Sequence, residues 1–229
     1  MKLRPLVFVP LLPLLDLDAS AQANLTWDAN TGTSAAQDGA GTWDTSNSNW
    51  WTGAANQSFV ANDNVTFGVA AANVAHTVTL ATTTSTGNLT FANTGTFPRY
   101  TIDLGVNTLT VNGLLSLNAQ GSAYYSAFTN GTLALRRTGS TEAAPDIFFD
   151  PNDGADYGVV IGSTLDVGTG SRYIRGAPQR NSVARYSGDL RFNGSLSGSA
   201  GLFFSGTTVD GNHLMHFVLN ANNSGYTGA

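Results

Sequence analysis

Short apolar-x-apolar triplets run along most of the chain, separated by Gly, Asn, Thr and Ser. Between Thr77 and Val111 they are Val78-Thr79-Leu80, Leu89-Thr90-Phe91, Ile102-Asp103-Leu104 and Leu109-Thr110-Val111. Each alternates with period two, as a strand does when it buries one face and wets the other. Further triplets follow at 115–117, 133–135, 147–149, 159–161, 165–167, 190–192, 202–204 and 217–219. Leu89 to Leu109, Leu109 to Leu133 and Leu165 to Leu190 are steps of roughly 20–25 residues, within the ~20–45 residues of one solenoid repeat. The pattern predicts an all-β chain built as a parallel β-helix. A β-sandwich is the alternative, since many short strands with frequent turn signals suit it too. Long Thr/Asn/Gly runs such as 81–87, in place of two-residue hairpin turns, favour the helix.

Composition supports the same class. Among 229 residues the only Lys is Lys2 and the only Glu is Glu142, so two strong helix formers are nearly absent while Thr and aromatics suit strands. A net charge of −5 is the wrong sign for a nucleic-acid surface. The basic stretch Arg172, Arg175, Arg180, Arg185 and Arg191 reads as a solvated face. With no cysteine, disulfides and thiolate metal sites are excluded, and stability must come from stacking and burial.

Three segments are expected. Residues 1–23 carry Lys2 and Arg4, an apolar run and the small residues of Ala19-Ser20-Ala21 and Ala21-Gln22-Ala23, the layout of a secretory signal peptide cleaved after Ala21 or Ala23. Residues 24–76 hold all four tryptophans, Trp27, Trp43, Trp50 and Trp51. They can serve as the plug of a terminal coil, which is the preferred reading for Trp43 and Trp50. Alternatively, Trp50 and Trp51 offer flat faces to sugar rings. Residues 77–229 form the solenoid coils.

The motifs GTWDTSNSNWW (41–51), DNVTFG (63–68), GNLTF (87–91), NTLTVNG (107–113) and LNANNSGYTG (219–228) together resemble bacterial proteins with autotransporter-associated β-strand repeats. The resemblance implies a right-handed parallel β-helix, secreted or displayed at the cell surface, with LNANNSGYTG as an element assisting export of the passenger. Such proteins usually carry many more repeats, and autotransporters proper add a membrane β-barrel. A chain truncated relative to its relatives, or a fragment of a longer one, is therefore an expectation, as is self-association through the last coil.

Candidate chemistry concentrates in DIFFDPNDGADY (146–157). Asp150, Asn152, Asp153 and Asp156 are oxygen ligands around a Gly turn, which is what calcium requires. Asp153 follows Asn152 directly, one residue short of a calcium-loop spacing, and Asp-Pro-Asn-Asp-Gly is the preferred reading as a plain turn. These acids with Arg172 and Arg175 form a conceivable lyase set, and Asp150 with Asp166 a glycosidase pair. His213 and His216 lie three apart, on opposite faces of an extended segment, and His76 stands alone. The expected function is a secreted or surface-displayed, adhesin-like scaffold without catalysis or cofactor, whose partner is a polysaccharide or a host or cell-surface ligand. The alternatives are a polysaccharide lyase or hydrolase and a carbohydrate-binding module.

Overall fold

The computed structural model describes residues 21–69, 74–92, 99–118, 125–150, 158–177, 188–206, 216–220, 223 and 225–228. The chain enters through β1 (Asn24–Trp27) and β2 (Gly41–Trp43), followed by the short strands β3 (Trp50–Trp51) and β4 (Asn56–Gln57). From there it winds in three-stranded turns. The first comprises β5 (Asn64–Phe67), β6 (Ala75–Leu80) and β7 (Thr84–Thr86), the second β8 (Leu89–Phe91), β9 (Arg99–Asp103) and β10 (Thr108–Val111). The third has β11 (Leu115–Asn118), β12 (Tyr125–Thr129) and β13 (Thr132–Leu135), the fourth β14 (Ile147–Asp150), β15 (Gly158–Ile161) and β16 (Thr164–Asp166). The fifth has β17 (Ser171–Gly176), β18 (Asp189–Phe192) and β19 (Leu196–Gly198), the last β20 (Gly201–Gly206), β21 (His216–Leu219) and β22 (Gly225–Tyr226).

Each turn contributes one strand to each of three sheets, of nine, seven and six strands. Sheet A contains β1, β5, β8, β11, β14, β17 and β20 with β3 and β4 beyond β1; sheet B begins with β2 and β6; sheet C begins with β7. Every pairing is parallel except β1–β3 and β3–β4, so the fold is a parallel β-helix and the sandwich alternative falls. Parallel pairing already starts at β1 with Leu25 beside Val65. A division at 76/77 therefore runs through β6 instead of between elements.

Register explains the triplets. Their first and third residues point inward and stack on the same position of the next turn. In sheet A the row is Leu25, Val65, Leu89, Leu115, Ile147, Ile174 and Phe204. In sheet C it is Leu109, Leu133, Leu165 and Leu196. The step from Leu109 to Leu133 is thus a true repeat, whereas Leu89 and Leu109 belong to different sheets, as do Leu165 and Leu190. The run at 81–87 is not all turn, because Thr84–Thr86 forms β7, whose buried Thr86 hydroxyl donates to Asp63 O at 2.5 Å.

The spacers make the corners. Asn64 Oδ1 accepts the Asn88 N–H and Asn88 Oδ1 that of Leu114, both at 2.7 Å. Asparagine thus hydrogen-bonds one turn to the next where the sheet ladder stops. At another corner Asn130 and Gly131 take the left-handed conformation, with φ of 57° and 45°, a region open to Asn and Gly at least cost. A Cβ on Gly131 would fall 2.4 Å from Asn107 O, so the close approach of the two turns needs glycine there.

Candidate functional site

The two ends of the helix differ. At the N-terminal end Trp27, Trp43 and Trp50 are at most 1% exposed. Trp50 lies edge-on to Trp27 and Trp43 with centroids 5.2 and 5.1 Å apart, and Phe59 and Phe67 complete the cluster. Trp27 Nε1 donates to Gly39 O at 2.9 Å. Tyr100, also buried, donates to Asp38 Oδ1 at 3.0 Å and accepts the Gly39 N–H at 2.8 Å. Burial first, with the nearby Asp38 carboxylate, pushes this phenol well above its ordinary range, so it acts as a neutral hydroxyl. Trp50 has no face left for a sugar, and that part of the stacking expectation is corrected. Trp51 alternates outward and is half-buried.

The charged candidates are mostly engaged. Arg172, expected on a solvated face, is 6% exposed. It donates through Nε to Val167 O at 2.8 Å and through its terminal nitrogens to Arg137 O at 2.6 Å, Thr169 O at 3.3 Å and Asp146 Oδ1 at 3.2 Å. The fully buried Asp146 also accepts the Tyr173 N–H at 2.9 Å. Arg172 is thus a buried structural cation, beyond reach of a lyase substrate. Asp166 is bridged to Arg136 and accepts the Gly168 N–H. Asp150 ends a sheet A strand while Asp166 ends a sheet C strand, so the two carboxylates do not share one face as a glycosidase pair would. His216 Nδ1 lies 3.1 Å from Asp189 Oδ1, whose carboxylate also binds Arg191. His76 packs beside Tyr100, ring centroids 5.4 Å apart. Asn152, Asp153, Asp156 and His213 lie outside the described residues. Among the described residues no group of His, Cys, Asp or Glu side chains is placed to hold a metal ion.

What remains is the outer face of sheet A. Its central row runs Thr66, Thr90, Ser116, Phe148, Arg175 and Ser205 in register. Small polar residues give way to an aromatic and a guanidinium. On β17, Tyr173 and Arg175 are two apart and share the outer face. Tyr173 stacks on Phe203 of the next turn, centroids 4.9 Å apart and planes 15° from parallel. Phe203 is 49% exposed. Among the described residues Arg175 makes no ion pair or side-chain hydrogen bond, whereas Arg136, Arg137, Arg172 and Arg191 each have partners. Phe148, Tyr173, Arg175 and Phe203 thus form an outward, partly exposed aromatic face with one planar donor uncommitted among the described residues. Sequence reasoning missed it, although Phe148-Phe149 and Phe203-Phe204 carried the signal: an aromatic in the middle of a triplet, where most triplets hold Thr, Ser, Asp or Arg.

This geometry defines the class as a capped parallel β-solenoid with a patterned outer sheet. No protein-family profile, curated protein or solved structure matches the chain.

Proposed function

We propose that the protein is an exported, surface-displayed scaffold of the autotransporter-associated repeat type, non-catalytic, whose sheet A outer face holds a neutral, hydroxyl-rich glycan. The observation that carries the binding role is Arg175, outward and without a side-chain partner among the described residues, set beside Phe148 and Tyr173 on the sheet. Aromatic surface packs against the apolar face of a pyranose, and a guanidinium offers several planar donors to its hydroxyls. The net charge of −5 disfavours an anionic polymer. The resemblance at both ends of the chain supports export and display.

Affinity electrophoresis in neutral xylan and in polygalacturonate tests this. The protein is expected to be retarded by xylan and not by polygalacturonate. Arg175→Ala is expected to weaken binding about tenfold, the loss of roughly one net hydrogen bond from a charged donor, with an unchanged melting temperature because its guanidinium bonds no side chain among the described residues. Absence of retardation, or equal retardation of the variant, overturns the binding role. Retardation by polygalacturonate alone overturns the glycan class.

We also propose that the 229-residue chain self-associates. The inward positions of the last turn are partly bare, with Phe204 38% and Leu219 45% exposed. Val218 pairs with Arg191 on the outer face, so Leu219 and Phe204 are the positions to change. At the N-terminal end the core is plugged by Trp27, Trp43, Trp50 and Phe59, so contact between two like C-terminal turns closes on itself as a dimer instead of propagating. Light scattering over a concentration series is expected to give dimers for the wild type and monomers for Phe204→Lys/Leu219→Lys. A wild-type monomer at high concentration, or growing filaments, rejects it.

A further inference from the structure

The two sequence-level cleavage sites, after Ala21 and after Ala23, differ sharply in what the fold makes of the residues they remove. Ala23 is built into the first coil. Its N–H donates to Asp63 Oδ1 at 2.9 Å, its carbonyl accepts the Asn64 N–H at 2.8 Å, and its methyl packs against the core. Asp63 is 5% exposed, and its other oxygen takes the Val60 N–H at 3.1 Å. A buried carboxylate depends on such donors, because losing one leaves charge without compensation.

Gln22 is exposed but tied to the first coil. Its side-chain amide donates to Asn62 O. It lies over Gly87, where a Cβ would fall 1.8 Å from Gln22 Nε2 and 2.6 Å from Asn64 Oδ1. Ala21 is exposed and has no hydrogen bond among the described residues. Among the described residues, hydrogen bonding to the coil therefore begins at Gln22 and burial at Ala23.

We propose that the leader peptidase cuts the Ala21–Gln22 bond, so that Gln22 and Ala23 stay with the mature protein as the first contacts of the coil. The cut is a hydrolysis: water adds across the peptide bond, giving an Ala21 carboxylate on the leader and an α-ammonium on Gln22. The inference rests on the reading of the chain as exported. Ala19 and Ala21 supply the small residues that such a peptidase accepts at the third and first positions before the cut. A cut after Ala23 would satisfy the same rule but would strip Asp63 of the Ala23 N–H and Asn64 of its carbonyl acceptor.

The test is to express the full chain with its own N-terminus in a Gram-negative host and identify the N-terminal peptide of exported protein by mass spectrometry. Gln22 is the expected first residue. Asn24 as the first residue overturns this proposal and leaves the export reading standing, whereas exported protein still starting at Met1 overturns that reading itself. In parallel, chains produced to start at Gln22 and at Asn24 are melted side by side. The shorter is expected to melt several degrees lower, and equal melting temperatures remove the physical reason for preferring the first site.

Discussion

Trp50→Ala is expected to destabilise the N-terminal end by about 3–5 kcal/mol, the usual cost of truncating a buried tryptophan. Trp50 is wholly enclosed, and its neighbours Trp27, Trp43, Phe59 and Phe67 are rings on separate strands and loops. They cannot close over the hole together without breaking sheet register. In a stacked fold each turn contacts only its neighbours, so the damage stays near the cut end. Hydrogen exchange should accelerate first in β1, β3 and β5, with β14 and β17 keeping their protection. Trp43→Phe should cost less than Trp27→Phe: the Trp43 indole nitrogen is buried without a hydrogen-bond partner among the described residues, whereas Trp27 donates to Gly39 O. An unchanged unfolding midpoint for Trp50→Ala would show that the aromatic cluster is not the plug.

The fold was largely legible because the solenoid repeats one rule. In every triplet before the last turn the apolar first and third residues are buried, and Leu109 over Leu133 gave the true repeat. Strands without that signature were harder to see. β7 is Thr-Ser-Thr, and a buried threonine whose hydroxyl is satisfied by Asp63 O looks like any spacer. β17 reads Ser-Arg-Tyr-Ile-Arg-Gly, and inward Arg172 breaks the apolar alternation because its partner Asp146 comes from the preceding turn. Which triplets stack was hidden for a related reason: turn lengths vary, so Leu89 stacks on Leu115 and not on Leu109. The outer platform depends wholly on this register, which alone places Phe148 beside Arg175 and Tyr173 beside Phe203. The Trp-rich opening favoured the plug for Trp43 and Trp50, which their burial bears out, but left the platform open for Trp50 and Trp51, because the type of residue says nothing of its neighbours.

Arg172→Leu is expected to cost about 3–5 kcal/mol, since it leaves the Asp146 carboxylate buried beside the Tyr173 N–H with its cation gone. The guanidinium also holds the carbonyls of Arg137, Val167 and Thr169, and a lysine cannot present donors in so many directions. Arg172→Lys should therefore recover only part of the loss. The next turn places Leu202 in register with Arg172, so a leucine matches the apolar row by shape. Arg172→Leu with Asp146→Ala should accordingly be less destabilised than the sum of the two single changes. That non-additivity is what a coupled buried pair requires. Urea midpoints of the two single variants and the double variant decide it. If Arg172→Leu unfolds at the wild-type midpoint, the buried pair contributes nothing to the stability of the coil.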